Sequence, residues 1–380
     1  MNEVVILGGG VAGVLVADLL ARRVPDELAS ITVVSDSEQH YFQPAQIYVP
    51  FDRTTPRELK RPVRGLLDKK VELVQEKVTG VDHEDQWVRL ESGKEMHFDY
   101  LVVATGCCLE PELIPGLKEG GHHFFSLGEA MLLRSQLKRF KGGRIIIGSS
   151  SVPHKNPLGP FEFAFLLEEF LERQDLRSET EIVFLHPERR PHKCAAVADL
   201  IESLFKKRRI HYRPAFKAHS VDADNKTVAN RLGRTEAYDL LVMSPPNRGA
   251  KFLRRSPIAD RKGFIHTHRR SLQVKNADQI WAVGDATNLA VSKEASTAHF
   301  EARAVAEQIE GEIMGTIPDR KKAEYRGRVV SFLETGYGQA TMLNYTRSQQ
   351  PDVDPPSEAV CLLKQGFMKS YWRLLTQGVV

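Results

Sequence analysis

Three glycines at Gly8, Gly10 and Gly13, in the run Gly8-Gly9-Gly10-Val11-Ala12-Gly13, could hold a charged ligand without any charged side chain. They follow the apolar run Val4-Val5-Ile6-Leu7 and open a helix-like stretch from Val14 to Ala21. Strand, glycine turn and helix in that order aim bare backbone N–H groups at a pyrophosphate. Gly8 permits the tight turn, Gly10 lets phosphates reach the backbone, and Gly13 lets the helix lie on the strand. The spacing predicts a dinucleotide site.

Two further strand ends point to the same ligand. Asp99 to Gly106 reads as a buried strand running into the small-residue turn Ala104-Thr105-Gly106. Gln279 to Ala286 reads as another, ending in Gly284-Asp285. Ligands of open parallel sheets collect at such C-terminal strand ends. The strand predicted over 31–34 ends in Ser35-Asp36-Ser37, where an acid accepts from ribose hydroxyls. Asp36 fits that role, and Ser35 is the alternative.

Between these segments, roughly over 120–260, runs an insertion with its own α/β rhythm. Strands are predicted over 144–148, 181–185 and 239–243, with helices from Phe161 to Arg173 and from Ala198 to Arg208. Its turn reads Gly148-Ser149-Ser150-Ser151-Val152-Pro153, with one glycine where three are needed and a proline that removes an N–H. The insertion is therefore expected to have lost a second dinucleotide. The fold class is α/β, with two nested Rossmann-like (three-layer) nucleotide-binding domains plus a C-terminal strand–helix segment. Expected boundaries are 1–118 with 262–318, then 119–261, then 319–380.

The chain has 380 residues, 42% hydrophobic and 27% charged, with a net charge of +4. This is ordinary globular composition, too mildly basic to argue for nucleic acid. Lys206 to Arg209 and His266 to Arg270 lack interleaved aromatic residues and read as solvated faces, so no nucleic-acid partner is expected. The four cysteines (Cys107, Cys108, Cys194, Cys361) have neither CxxC nor zinc-type spacing, and no metal site is expected. No apolar run reaches membrane-spanning length, and the strand at 4–7 is too short for a signal peptide. A cytoplasmic protein, or one peripheral on the inner face of a membrane, is the expectation.

The combination of motifs resembles the sulfide:quinone oxidoreductase family of two-dinucleotide-domain flavoproteins. Besides the turns already quoted, it rests on Tyr41-Phe42-Gln43-Pro44, Gly159-Pro160-Phe161-Glu162-Phe163 and Ser292-Lys293. Ala298-His299-Phe300-Glu301-Ala302, Phe332-Leu333-Glu334-Thr335-Gly336 and Tyr371-Trp372 complete it. The resemblance implies FAD, with Gly8, Gly10, Val11, Ala12 and Gly13 at the pyrophosphate and Ser35 or Asp36 at the ribose. It also implies contacts from Pro44, Val78, Ala104, Thr105, Gly106, Gly284, Asp285 and Lys293. Lys293 would stabilise negative charge developing on the reduced flavin; a solvated surface lysine is the plainer reading. A quinone or similar small acceptor and an anionic membrane surface are the implied partners, and a homo-oligomer is open.

The resemblance also exposes a departure. The family oxidises sulfide with two cysteines flanking the flavin, and their positions are Asn156 and Ser331 here. Neither residue forms a disulfide, a persulfide or a thiolate nucleophile. Two-electron transfer through a flavin to a quinone-type acceptor is expected, with sulfide oxidation in doubt. The alternatives are an NAD(P)H:quinone oxidoreductase of the type II NADH dehydrogenase kind and a degenerate flavin-binding partner in sulfur metabolism.

The remaining groups carry open readings. Cys107-Cys108 are small residues packing a turn, or a strained and easily reduced vicinal bridge. Cys194, beside His192-Lys193 and a helix start, is an inert thiol or a reactive one. His299 is a proton carrier or a satisfied buried imidazole. Residues 359–380 are predicted to form a helix with Phe367, Tyr371 and Trp372 on one stripe and Lys369 and Arg373 beside it, suited to a membrane surface or to the core.

Overall fold

The computed structural model describes residues 1–152, 154–316 and 323–377. Pro153 and the parts of the C-terminal segment at 319–322 and 378–380 lie outside the described residues. Strand β1 (Asn2–Leu7) turns into helix α1 (Val11–Arg23) and strand β2 (Ala29–Ser35), followed by β3 (Glu72–Gln75) and β4 (Tyr100–Val103). Then come β5 (Gly143–Ser149), α2 (Gly159–Arg173), β6 (Thr180–Leu185), α3 (Ala195–Lys207), β7 (Ile210–Arg213) and β8 (Leu240–Ser244). The chain continues through β9 (Ala277–Ala282), α4 (Ala295–Ile313), β10 (Val329–Gly336), β11 (Gln339–Tyr345) and α5 (Glu358–Gln377).

The first sheet runs β9-β4-β1-β2-β3, all parallel, with the short strand Gln273–Val274 antiparallel at the β9 edge. Both faces are covered, which is why β1 is an unbroken apolar run rather than an alternating one. Ile6, Val33 and Val102 pack with α1 and α4 on one side. Val5, Leu7, Val34, Leu101 and Val103 face the other way, against Val78 and Val88 of an antiparallel three-stranded sheet over 78–97 and against Phe98 just after it. The register Ile6↔Val33 and Ile6↔Val102 keeps each layer on its face, and a slip by one residue would exchange them.

The second sheet runs β7-β6-β5-β8, also parallel. Aromatic stacking fixes one face: Phe161 of α2 lies 4.5 Å from Phe184 of β6, and Phe205 of α3 lies 5.2 Å from Phe184. Ile146, Val183, Leu241 and Met243 face a second antiparallel three-stranded sheet over 218–237. Helix starts differ from the sequence expectation by two or three residues. α1 starts at Val11 because extended Gly10 is its cap, and α2 starts at Gly159 because Pro160 fits the first helical turn.

After α4 the chain forms the hairpin β10–β11 and then α5, which packs along β11 and α1. The orientation of α5 corrects the expectation of a single outward aromatic stripe. Tyr371 is 2% exposed and stacks on Phe42 at 3.9 Å, and the Trp372 Nε1–H donates to the Glu58 carbonyl at 3.1 Å. Cys361, Lys364 and Leu375 are buried on the same side. The outward apolar groups are Leu362 (66% exposed), Leu363 (54%) and Phe367 (37%), with Lys369 and Arg373 exposed on the same helix. No helix among the described residues is long and apolar enough to cross a membrane.

Candidate functional site

The glycine turn has the packing its spacing demands. A Cβ on Gly13 would stand 1.9 Å from the Gly8 carbonyl oxygen, so α1 crosses β1 too closely for any side chain there. Gly8 adopts φ +113°, with a Cβ position 2.5 Å from the Ala104 carbonyl oxygen. Gly10 is the contrast: a Cβ there would meet nothing within 4 Å among the described residues. The open space therefore lies over the α1 N-terminus, where the first intrahelical acceptor bond is Val14 N–H to Gly10 O at 3.0 Å. The Thr105 hydroxyl is buried in the neighbouring turn without a partner, and Gly106 takes φ +63°. An orphaned donor beside an N–H-lined opening fits a phosphate-bearing cofactor. Ser35 is buried, its hydroxyl donating to the Ser37 carbonyl at 3.0 Å, whereas Asp36 is exposed at the strand end.

The corresponding turn of the second sheet is built differently and borders a cavity lined by Ser150, Ser151, Lys217 and Arg231. A Cβ on Gly148 would meet the Leu185 carbonyl oxygen at 2.3 Å, so this glycine serves strand packing. α2 begins only at Gly159, and the intervening loop replaces a tight turn. Ser149 and Ser150 bury their hydroxyls there without partners.

A polar cluster forms at the Gly284-Asp285 turn. Asp285 takes an ion pair from Lys155 Nζ at 2.8 Å and a weak hydrogen bond from the Cys107 thiol at 3.6 Å. Burial opposes the Asp285 charge, yet Lys155 and Lys293 outweigh it and hold the carboxyl below its ordinary value. Burial and the adjacent Asp285 push the Cys107 thiol up to about 12, so it donates rather than attacks. Lys293 is buried, not solvated: its Nζ donates to the carbonyls of Asp285 (3.0 Å) and Thr287 (2.7 Å) and lies 4.8 Å from the Phe264 ring.

Both positions predicted to have lost a cysteine flank the dipeptide Lys293-Glu294. Asn156 donates its backbone N–H to Lys293 O at 2.9 Å and sits at φ +45°, a left-handed conformation that asparagine tolerates. The buried Ser331 hydroxyl donates to Glu294 Oε2, and Ser292 donates to Glu294 Oε1 at 2.5 Å. Sequence reasoning missed Lys155 and Glu294, although each adjoins a residue it named. Lys155 lies 130 positions from its partner, a separation no local pattern reports.

The other candidates stand apart from this cluster or support it indirectly. All four cysteines are free thiols, so Cys107 and Cys108 form no bridge, and Cys108 pairs in a short antiparallel ladder with Arg248. Cys194 is buried at the α3 N-cap, its backbone N–H bonded to His192 Nδ1 at 3.0 Å. Val78 is buried beneath β1 and β2, and Pro44 is exposed at the start of the 3₁₀ stretch Gln43–Phe51. His299 is buried, and burial with Arg303 pushes it down to about 3, which leaves a neutral ring and removes it as a cationic proton donor.

Glu301 fixes the Gly284 turn, its Oε2 accepting the Gly284 N–H at 2.6 Å. Burial pushes this carboxyl from 4.5 up to about 8. The native state then holds a proton that the unfolded chain has released, so this contribution to stability is full below about pH 4.5 and is lost as pH rises through about 8. The thermal midpoint is expected to fall across that window, and Glu301→Gln to flatten the slope. An unchanged slope in a folded Glu301→Gln protein would contradict this assignment.

Comparison with known proteins bears on this geometry. The family model described as pyridine nucleotide-disulphide oxidoreductase matches residues 2–304. A mitochondrial sulfide:quinone oxidoreductase of Mus musculus is 26% identical, covering 99% of this chain and 86% of the relative. The crystal structure of the sulfide:quinone oxidoreductase from the bacterium Aquifex aeolicus superposes with a TM-score of 0.89 at 21% identity, covering 100% of this chain and 92% of that one. NDH2 from Plasmodium falciparum, solved in complex with NADH, superposes at 0.73 with 14% identity, over 100% and 97% of the two chains.

Proposed function

Because the chain belongs to the pyridine nucleotide-disulphide oxidoreductase family, and within it to the sulfide:quinone oxidoreductases, we propose that it binds FAD and passes electron pairs to a quinone without a sulfur relay. It is a flavin-dependent oxidoreductase; the donor, the acceptor and the residue roles are the inference. The observation that carries the reading is the opening at Gly10 over the α1 N-terminus, beside the buried Lys293–Asp285–Lys155 cluster. Residues 1–118 and 262–318 form the flavin-holding domain in this reading, and 119–261 a second domain whose turn no longer admits a pyrophosphate.

FAD supplies two-electron chemistry when bound. This chain's residues then divide the remaining work. Gly8, Gly10 and Gly13 leave room for the pyrophosphate, with the N–H groups of Val11, Ala12 and Gly13 facing it at the helix start. Lys293 and Lys155 place positive charge at the Asp285 turn, favouring a reduced and more negative site. Asn156 and Ser331 supply an amide and a hydroxyl where the family's chemistry needs sulfur, so sulfide is not the expected donor. The Gly148 turn, with one glycine where the motif needs three, disfavours NADH. The exposed Leu362, Leu363 and Phe367, with Lys369 and Arg373, suit contact with an anionic membrane surface from which a quinone arrives.

The test is one preparation and one reoxidation assay. Purified protein should be yellow and release FAD on acid treatment, and the photoreduced enzyme should be reoxidised by a quinone embedded in anionic vesicles. Replacing Leu362 and Phe367 together by Glu should slow that reoxidation while leaving FAD bound. A colourless protein that cannot be reconstituted, or reduced enzyme inert to quinone, would overturn the reading.

A further inference from the structure

Ser150 is 1% exposed and its hydroxyl has no hydrogen-bond partner, yet the residue stands on the wall of a cavity of about 290 Å³. That volume is close to the lower end of small-molecule sites, roughly 300–1,000 Å³. The cavity lies at the carboxyl edge of the second parallel sheet, where such sheets collect ligands. Ser150 follows β5 and Pro246 follows β8, and the Ser150 N–H donates to Ser244 O at 3.1 Å, which ties the two strand ends together. Lys217, Asn230 and Arg231 line the cavity from the antiparallel sheet over 218–237 and the residue just before it. A buried hydroxyl left without a partner is costly, and an opening beside it gives a ligand access to it.

The other polar groups of this wall are donors. Asn230 is 5% exposed, and its Oδ1 accepts from the N–H groups of Leu232 (2.9 Å) and Arg234 (3.0 Å), which leaves its amide NH₂ to donate. No Asp or Glu lines the cavity, and among the described residues neither Lys217 nor Arg231 has an ion-pair partner. Elsewhere on the same domain exposed arginines are paired, Arg213 with Glu236 at 3.6 Å and Arg190 with Glu202 at 3.1 Å. We propose that this cavity binds a small organic phosphate monoester, its phosphoryl group held by Lys217, Arg231, Asn230 and Ser150 and its carbon body against Leu113, Ile114 and Pro246. Charge and donor number select phosphate over carboxylate. A monoester brings a charge of about −1.5 to −2 and three acceptor oxygens to two uncompensated cations and two further polar groups, whereas a carboxylate brings one charge and two oxygens. Side chains hold the ligand here, not a glycine turn, because the Ser150 N–H is already committed to Ser244 O. That separates the site from one built for a dinucleotide.

Equilibrium dialysis of the FAD-loaded full chain against phenyl phosphate, at low ionic strength and neutral pH, tests this. Wild type is expected to bind one phenyl phosphate per chain. Lys217→Ala and Arg231→Ala change exposed side chains and should keep the fold, each weakening binding by about tenfold or more, the loss expected for one charge-assisted hydrogen bond. Ser150→Ala removes a hydroxyl that nothing else in the fold bonds, so it should weaken binding without lowering the thermal midpoint. Inorganic phosphate and benzoate, as competitors, should each bind more weakly than phenyl phosphate. Inorganic phosphate that binds as tightly would overturn the organic body, and benzoate that binds as tightly would overturn the phosphoryl assignment. NADH that displaces phenyl phosphate from wild type would make the cavity part of a dinucleotide site and overturn the proposal. So would no binding by wild type, or an affinity unchanged in both Lys217→Ala and Arg231→Ala. None of these residues belongs to the glycine turn at Gly8–Gly13, so a protein without flavin would overturn the proposed function and leave this site to be tested by the same variants.

Discussion

Gly10→Ala is expected to fold normally and to lose its flavin, whereas Gly13→Ala loses both flavin and stability. The difference follows from where each new methyl would go. On Gly13 it would stand 1.9 Å from Gly8 O and 3.1 Å from Gly8 C, both backbone atoms that no side-chain rotation can move. α1 must then separate from β1 and open the turn. Overpacking of this kind costs typically about 1–3 kcal/mol of stability, occasionally more. On Gly10 the methyl meets no protein atom within 4 Å, so the fold is not disturbed, but the group enters the space a pyrophosphate needs. Thermal unfolding and the flavin-to-protein absorbance ratio read the two effects separately. A yellow, fully loaded Gly10→Ala protein would remove the glycine turn from the cofactor site.

Lys364→Ala is expected to cause a large loss of stability. Lys364 Nζ lies 2.5 Å from Glu162 Oε1 and 3.5 Å from Glu334 Oε2, with Arg53 2.8 Å from Glu334 Oε1 and the Tyr48 hydroxyl donating to Glu334. Burial opposes the Lys364 charge, but Glu162, Tyr48 and Glu334 hold it above its ordinary value. Two carboxylates are thus balanced by one lysine and one arginine, and α5 is bound to α2 and β10 through them. Removing the ammonium leaves a buried carboxylate without a counter-charge, a loss of about 3–5 kcal/mol in comparable buried pairs. Adding Glu162→Gln to Lys364→Ala should recover part of it, because the stranded charge goes too. Denaturant unfolding of the single and double variants tests this; a single variant as stable as wild type would show that α5 is held by its apolar face alone.

Legibility in the sequence followed distance along the chain. The β1–turn–α1 unit is local, and each glycine there answers a packing or access requirement within a few residues. The second turn, expected to have lost its dinucleotide, was equally local, and a Cβ on Gly148 would meet the Leu185 carbonyl oxygen at 2.3 Å, which is why a glycine is needed there. The faces of α5 were not legible. Leu362, Leu363, Phe367, Tyr371 and Trp372 are all large and apolar, and periodicity alone does not say which of them meets the core. Tyr371 is selected by His40, 331 residues away, whose ring bridges the Tyr371 hydroxyl (2.7 Å) and the carbonyl of Gly9 (2.9 Å). The Asp285 cluster was half legible. The Gly-Asp turn and Lys293 carry a pattern, whereas Lys155 and Glu294 are ordinary charged residues until the fold brings Lys155 to Asp285 and Glu294 to Ser331.

Anaerobic stopped-flow mixing of the FAD-loaded protein with sulfide tests the central claim most directly: that this site moves electron pairs through a flavin without a thiol relay. The native chain, with Asn156 and Ser331 where the proposed function puts the missing relay, is expected to show slow or no bleaching of the oxidised flavin and no long-wavelength charge-transfer band. Asn156→Cys combined with Ser331→Cys, in the same apparatus, should bring both signals into view, because both positions flank the Lys293-Glu294 dipeptide. Rapid bleaching accompanied by a charge-transfer band in the native chain would contradict the account.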